Sequence, residues 1–385
     1  MRLLGDLDLA DDCCQDAFAS ALAVWPESGI PAKPLAWLVT AGRNAGLNTF
    51  RKNQRQVALP AEELAAFEGE PDIEIIDDDA LRLIFMCCHP SLGVESQIAL
   101  TLRECCGLST EEIAHAFLCP VPTLAQRTVR AKAQLKAGGH SLELLNDEVI
   151  SERLPGVLHV LYLTFNEGYY ASSGYSLVRA DLAREAIRLT WLVVSLLRTS
   201  ETVGLLALML VQESRRSART NAEGDIILLD DQDRRLWNQA MAREGILLSD
   251  EAVGCSSPGS YALQSAIAAV HARSLGSDST DWGQIVGYYD QLQALGYSPI
   301  VELNRAVAVA YHVGPEHGIE IIERMMAEGE LAHYGLAYSA LGGLKEKLGQ
   351  LAEAVLAYEL ALAKSNQDSE RKWLREKIEN LQKSL

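Results

Sequence analysis

Two short segments of the sequence combine basic and amide side chains with no carboxylate. The first runs from Arg43 to Arg55 and the second from Val121 to Ala137, with four basic residues in each. These residues are Arg43, Arg51, Lys52 and Arg55, and Arg127, Arg130, Lys132 and Lys136. Guanidinium groups bind phosphates, and amides hydrogen-bond the edges of bases. Both segments have the chemistry of a nucleic-acid surface, although the net charge of -18 argues against indiscriminate binding.

The first segment belongs to a helix that is predicted to open at Pro34, since proline suits a first helical turn. Small and apolar residues on one face are predicted to pack on a preceding helix, Asp8 to Trp25; they are Leu35, Val39, Gly42, Gly46 and Phe50. The opposite face carries Asn44, Asn48, Arg51 and Arg55. Trp37 is available for stacking on an unpaired base. From this helix alone, a solvated face with a core tryptophan is an equal alternative.

The second segment follows the signature of a helix-turn-helix. Ser109 to Glu112 predicts a capping box, and Ile113, Ala114 and Phe117 supply the buried side of that helix. After a break at 118–120, Pro122 begins a helix to about Lys136, with Leu124, Thr128, Ala131 and Leu135 inward. Its outward residues are Gln126, Arg127, Arg130 and Gln134. This pattern predicts a helix that enters the major groove, with a generic helical hairpin as the alternative.

An acidic stretch separates the two basic modules. Residues 58–79 contain nine carboxylates and no basic residue. A segment with this composition is predicted to be a flexible linker.

The remainder of the chain has the periodicity of helices, and its last part carries a repeat. Tyr338, Leu341, Gly342, Ala354, Tyr358 and Ala361 fit the tetratricopeptide pattern, and Ala308 lies 34 residues before Gly342. Leu303, Val307, Gly318 and Ile322 supply a weaker copy, and a charged capping helix runs through Trp373 and Ile378. The helices from about 140 to 300 are predicted to be diverged units of the same solenoid.

Other chemistry is weakly supported. Six of the eight cysteines form adjacent pairs, and Cys87, Cys88 and His89 are an alternative metal site, but the pattern favours small core residues in a reducing compartment. Glu167 and His159 suggest acid–base chemistry, yet no nucleophile or phosphate loop accompanies them, so residues 165–169 are predicted to be a turn. We expect no cofactor, no metal and no enzymatic activity.

Two further features concern the surface and the compartment. Arginines at 215, 216 and 219 and aspartates at 230, 231 and 233 offer a polar interface, with solvated loops as the default. No run of eighteen apolar residues occurs, and the start lacks a signal pattern, so a cytoplasmic protein without a membrane partner is expected.

Both basic modules resemble a known family. The stretches DLADDCCQDAFASALAVW and PLAWLVTAGRNAGLNTFRKNQR resemble the second domain of extracytoplasmic-function sigma factors. IALTLRECCGLSTEEIAHAFLCPVPTLAQRTVRAKAQL resembles their fourth domain, so the likeness covers about residues 1–137. The rest, with LPGVLHVLYLTFNEGYY, is similar to the subgroup whose sigma core is fused to a tetratricopeptide-like domain.

The resemblance implies a role for each matching residue. Asp12, Gln15, Asp16 and Phe18 correspond to contacts with core RNA polymerase. The loop 26–33 matches a pocket for a flipped base, Asn44 and Asn48 correspond to readers of the minus-ten element, and Arg51, Lys52 and Arg55 to backbone contacts. Gln126, Arg127 and Arg130 correspond to readers of the minus-thirty-five element. The acidic stretch corresponds to the linker that threads through polymerase.

The sequence departs from the family at two places. Family members carry a further helix before the equivalent of Leu3, which implies a misassigned start or a weak affinity for core polymerase. Pro122 replaces a common glycine and is compatible with a helix start.

The predicted fold is all-α: sigma-factor helical domains with a helix-turn-helix, followed by a tetratricopeptide-like solenoid. The predicted domains are 1–57, a linker at 58–79, 80–138, a helical extension at 139–299, and repeats with a capping helix at 300–385. The predicted function is promoter-specific transcription initiation with core RNA polymerase and promoter DNA, regulated by the extension in cis or through a partner protein. The alternatives are a helix-turn-helix regulator that acts without polymerase and a tetratricopeptide scaffold or enzyme with a vestigial sigma core.

Overall fold

The computed structural model describes residues 7–53, 82–117, 119–138, 147–170, 176–221, 227–365 and 368–385. Helices account for most of these residues, which confirms the predicted all-α fold. The chain forms two compact units, Met1–Leu161 and Tyr162–Leu385. The predicted domain boundaries at 138 and 299 stay predictions. None of the described helices is both long enough and apolar enough to cross a membrane.

The first unit contains six helices among its described residues. They are α1 (Leu7–Ser28), α2 (Pro34–Asn53), α3 (82–87), α4 (Val94–Glu104), α5 (Thr110–Ala116) and α6 (Val121–Ala137). Helix α7 (Asp147–Tyr170) crosses from the first unit into the second. A core cluster that includes Met86, Leu100 and Leu135 joins α3, α4 and α6.

Helix α1 is longer than its sequence predicts. It continues through Pro26 to Ser28, so the predicted loop over 26–33 begins only at Gly29. Proline removes one backbone hydrogen bond but is compatible with helical φ near the end of a helix. The helix ends where Gly29, at a positive φ of 81°, donates its N–H to the Trp25 carbonyl at 2.9 Å.

The second unit continues as consecutive helices. They are α8 (Ser176–Leu196), α9 (Ser200–Ser214), α10 (Gln239–Val253), α11 (Ser260–Arg273), α12 (Trp282–Leu295), α13 (Pro299–His312), α14 (Pro315–Ala327), α15 (Gly335–Lys347), α16 (Leu351–Lys364) and α17 (Asp368–Gln382). Helix α9, which is apolar throughout residues 203–211, is buried between α8, α10 and α11.

The turn predicted at residues 165–169 is wrong. These residues form the last turns of α7, where Phe165 and Tyr169 stack with ring centroids 5.4 Å apart. Arg216 donates to the Gly168 carbonyl at 3.2 Å, and Arg219 donates to the Tyr169 carbonyl at 2.5 Å. Guanidinium groups from elsewhere in the chain thus satisfy carbonyls that a helix end leaves free, and this overrides the local turn signal.

Arg216 and Arg219 therefore cap the end of α7, and the interface suggested between the arginines at 215, 216 and 219 and the aspartates at 230, 231 and 233 stays a prediction. Arg216 pairs with Glu213 at 2.6 Å, and Arg215 donates to the Tyr169 hydroxyl at 2.8 Å. Asp233 pairs with Arg235 at 2.7 Å, and this contact lowers the pKa of the Asp233 carboxyl to about 2.

The predicted packing of the last repeat is confirmed. A β-carbon at Gly342 would lie 2.9 Å from the Tyr358 ring, so only glycine lets α15 approach α16 this closely. Ala354, Tyr358 and Ala361 are buried. Helix α17 covers this end with Leu374 and Ile378, and Trp373 meets the Tyr358 ring edge-on at 5.9 Å. The assignment of these helices to the tetratricopeptide family stays a prediction.

A methyl group at Gly204 should destabilise the second unit. A β-carbon there would lie 2.5 Å from the Ala262 nitrogen, so α9 and α11 would have to separate. We expect Gly204→Ala to lower the free energy of unfolding by about 1–3 kcal/mol in urea denaturation. Gly287→Ala is the control, because nothing lies within 4 Å of that position; it should raise stability by about 0.5–1 kcal/mol. Equal effects of both substitutions would contradict the proposed close approach.

Candidate nucleic-acid interface

The helix-turn-helix is built around a capping box. The Ser109 N–H donates to the Glu112 carboxylate at 2.7 Å, and the Glu112 N–H donates to the Ser109 hydroxyl at 3.1 Å. These bonds start α5, and Ile113 and Ala114 form its buried side. Pro120 then caps α6, with Pro122 in its first turn. The predicted N-cap at Ser109 is confirmed, and α6 runs from Val121 to Ala137, one residue beyond the predicted bounds at each end.

Helix α6 has one buried and one exposed face, as predicted. Leu124, Thr128, Ala131 and Leu135 are buried, whereas Gln126 and Arg130 are exposed. Gln134 is an exception on the outward face, because its amide donates to the Ser91 carbonyl at 2.6 Å and ties α6 to the loop before α4. The exposed amide and guanidinium on the second helix of a helix-turn-helix suit contacts with base edges and phosphates.

Two basic residues of α6 have acidic partners within the same unit. Arg127 pairs with Glu95 at 2.6 Å, and Lys132 pairs with Glu104 at 3.1 Å. The Lys132 pair is nearly buried, and burial raises the pKa of the Glu104 carboxyl although Lys132 opposes that shift. Lys132 therefore holds α6 against α4, and the positive charge of Arg127 is partly neutralised at the surface.

The structure adds one residue that the sequence pattern missed. Val129 lies between Gln126 and Arg130 and is 66% exposed. An exposed apolar group on a recognition helix can contact a thymine methyl group. The sequence does indicate this residue, because Val129 is apolar and yet falls outside the helical spacing of the buried residues Leu124, Thr128 and Ala131.

Helices α1 and α2 pack through small residues. A β-carbon at Gly42 would lie 3.2 Å from the Cys13 carbonyl and 3.6 Å from the Ala17 β-carbon. The prediction that Leu35 and Val39 belong to this packed face is wrong, since they are 61% and 39% exposed. In the first turns of α2, Trp37 contacts α1 instead. Its ring lies edge-on against that of Trp25, with ring centroids 5.4 Å apart.

The minus-ten candidates are only partly described. Asn44 is exposed on α2, and Trp37 is half-buried in its contact with Trp25. Asn48, Arg51 and Lys52 lie in the last turns of α2, where the description is limited to the backbone. Arg55 and the acidic stretch 58–79 lie outside the described residues. The roles predicted for these residues stay predictions.

The candidate polymerase contacts share one surface of α1. Asp12, Gln15, Asp16 and Phe18 are all exposed, with Phe18 at 59%. Cys13, Ala17 and Ala21 are buried on the other side. An exposed phenylalanine is typical of a protein-binding surface.

The paired cysteines of the first unit differ in their exposure. Cys13, Cys87 and Cys88 are buried, as predicted for core residues, whereas that prediction is wrong for Cys14, which is exposed, and Cys105 and Cys106 are half-buried. A hydrogen bond with Cys105 and burial raise the pKa of the Cys87 thiol, and burial raises that of Cys88 to about 12. Metal coordination requires thiolates. Within the described ranges, no group of three histidine, cysteine or acidic side chains is arranged to hold a metal ion.

Comparisons with known families match both modules. Sigma-70 region 2 matches residues 1–56, and sigma-70 region 4 matches residues 82–135. Residues 153–253 match a family of unknown function, DUF6596. The helix-turn-helix thus falls within the region 4 match, and α1 and α2 fall within the region 2 match.

Similar individual proteins include an uncharacterized protein and two sigma factors. An uncharacterized protein of Rhizobium meliloti is 42% identical over 391 residues, which cover 99% of this chain and 92% of that protein. The RNA polymerase sigma-H factor of Pseudomonas aeruginosa is 32% identical over 34% of this chain and 74% of its own length. The probable ECF RNA polymerase sigma factor SigI of Mycobacterium tuberculosis is 24% identical over 35% of this chain and 48% of its own length.

Proposed function

The chain belongs to the extracytoplasmic-function group of sigma-70 RNA polymerase sigma factors, and we propose that its two helical modules divide a promoter between them. It is an alternative sigma factor of transcription initiation, with core polymerase and promoter DNA as partners. In the proposal, α6 recognises the minus-thirty-five element and α2 recognises the minus-ten element, while the exposed face of α1 binds polymerase. The observation that carries the proposal is the exposure of Gln126 and Arg130 over a fully buried inner face.

A run-off assay tests this function directly. The full chain is mixed with purified core polymerase and a promoter library, and the transcripts are sequenced. We expect a shared pair of sequence elements upstream of the start sites of enriched transcripts. Failure to bind core polymerase or to yield any transcript would exclude the proposal.

Within the minus-ten module, amide and basic residues should behave differently. We expect Asn44→Ala to relax selectivity at one position of the element by about 1–3 kcal/mol, because an amide–base contact is lost. Arg51→Ala should weaken binding to all promoters, because a phosphate contact is lost. The slope of log affinity against log salt concentration should fall in magnitude by about one, since one counterion fewer is released on binding. The measurement is holoenzyme binding to single-base promoter variants at several salt concentrations. Equal, sequence-independent losses from both substitutions would contradict the division of labour.

Glu95 should weaken promoter binding by holding Arg127. We expect Glu95→Gln to increase holoenzyme affinity for the promoter by about two- to fivefold, because an exposed ion pair contributes only about 0–1 kcal/mol. Glu111→Gln is the charge-matched control, since Glu111 is exposed on the neighbouring α5. The measurement is a promoter-binding titration of each holoenzyme. An equal gain from both substitutions would assign the effect to net charge.

We further propose that the helical extension regulates the sigma core, in cis or through a partner protein. Consecutive helices such as α13 to α16 can form a concave surface that holds another protein segment. The second unit is compact by itself, with its own core clusters. A unit with its own core supports a module with a task of its own. Truncation of the chain after Gly139, which removes this unit, tests the proposal.

A further inference from the structure

The second unit contains a cavity of about 280 Å³ that the sigma function does not use. It lies among α11, α12, α13 and the short segment 228–230. Its volume is close to the lower end of small-ligand sites, which span roughly 300–1,000 Å³. The cavity therefore suits a single-ring compound better than a nucleotide or a peptide.

Much of the lining is aromatic. Trp282 and Tyr311 stack with ring centroids 4.2 Å apart and an interplanar angle of 22°. His271 meets Trp282 edge-on at 5.2 Å. The remaining apolar lining residues are Leu228, Leu229, Ile285, Val307 and Ala308. Rings held against each other in this way form a rigid apolar surface before any ligand arrives.

Three polar groups in the lining have hydrogen-bonding capacity to spare. The Tyr311 hydroxyl donates to one oxygen of Asp230 at 2.8 Å, and a carboxylate can accept several such bonds. Within the described part of the chain, the Asn304 amide and the Tyr289 hydroxyl have no hydrogen-bonding partner. A few convergent polar groups in an apolar cavity are typical of a site that fixes the orientation of a ligand.

Asp230 is the charged member of this lining. Burial, with Arg215 and Arg234 nearby, lowers the pKa of His271 to about 4, so its imidazole is neutral at physiological pH. Arg234 donates to the carbonyls of His271 and Ser274 and does not line the cavity. Lys347 lies 4.3 Å from the centre of the Tyr311 ring, also outside the lining. The lining itself thus offers one negative charge beside aromatic rings.

We propose that this cavity binds a small organic amine, with its protonated nitrogen at Asp230 and its apolar body against Trp282. A protonated amine donates to the carboxylate and is attracted to aromatic faces. The Asn304 and Tyr289 side chains supply further acceptors for the remaining N–H groups. The segment 228–230 contributes Asp230, so a bound amine links this segment to α12 and α13.

Three probes of similar size test the proposal on the full chain: phenethylamine, 2-phenylethanol and phenylacetate. Isothermal titration calorimetry at pH 7 measures the Kd of each. We expect phenethylamine to bind about tenfold or more tightly than the other two, because hydrogen bonds to a charged group are the strong ones. Asp230→Asn should abolish this preference. Asp231→Asn is the matched control, since Asp231 is exposed in the same segment and does not line the cavity.

A second variant tests the location by filling the space. Val307→Trp should prevent binding of phenethylamine, whereas Val313→Trp, at an exposed position just beyond α13, should not. Circular dichroism and thermal melting establish that each variant is folded. Equal affinity of the wild-type chain for all three probes, an equal loss from both aspartate variants, or wild-type binding by a folded Val307→Trp chain would each overturn the proposal.

Discussion

Replacing both Gln126 and Arg130 with alanine should reduce promoter-dependent transcription by about 100-fold or more, while the chain still binds core polymerase. Both side chains are exposed on α6. A good bidentate contact with a base contributes about 1–3 kcal/mol of discrimination. The free-energy losses from two such contacts add, so the corresponding fold-losses in promoter affinity multiply. The measurement is run-off transcription from a promoter selected with the wild-type chain, together with promoter binding by the holoenzyme.

Lys136→Ala is the matched control for this variant. Lys136 also carries a positive charge on α6, but it lies in the last turn, away from the first turns that enter the groove. We expect a small loss that is similar for all promoters. Wild-type transcription by the double variant would show that α6 does not recognise the promoter. Equal losses in the double variant and the control would assign the effect to charge alone.

Truncation after Gly139 should change transcription from the same promoter by about fivefold or more, the range expected for coupling between two sites. The truncated chain lacks the whole of α7 and the second unit. A rise in promoter binding and transcription would mean that the extension masks the promoter-binding face. A fall in transcription, with promoter-independent binding to core polymerase intact, would mean that the extension makes a required contact with polymerase.

The truncation needs a control for folding, because α7 crosses the boundary between the two units. Circular dichroism and binding to core polymerase should match those expected for an intact sigma core. A folded truncated chain with the same promoter binding and transcription as the full chain would contradict regulation in cis. The extension would then be a separate interaction module.

The helix-turn-helix is the part of the site that the sequence determined best. Its capping box needs only residues three positions apart, Ser109 and Glu112, and both reciprocal bonds form. The buried face of α6 follows from helical periodicity alone. Likewise, the small Gly342 facing the Tyr358 ring follows from the spacing of the repeat. These features depend on near neighbours along the chain.

The tertiary structure decided which basic side chains of α6 form ion pairs within the chain, and so which are less available to bind DNA. The sequence counts four basic residues in α6, but Lys132 is held by Glu104 and Arg127 by Glu95. Sequence spacing places these residues on a helix and cannot state which carboxylate from another helix will approach them. The same limit explains why Leu35 and Val39 were wrongly assigned to the packed face of α2.

The helical conformation of residues 165–169 and the cavity both depend on contacts between residues that are distant in the sequence. Asn and Gly favour a turn locally, but Arg216 and Arg219 bind the carbonyls at the end of α7 from about fifty residues away in the sequence. The cavity likewise needs Asp230, His271, Trp282 and Tyr311 to meet from four separate elements. Local propensity amounts to less than about 1 kcal/mol per residue, so the contacts that form on folding determined these features.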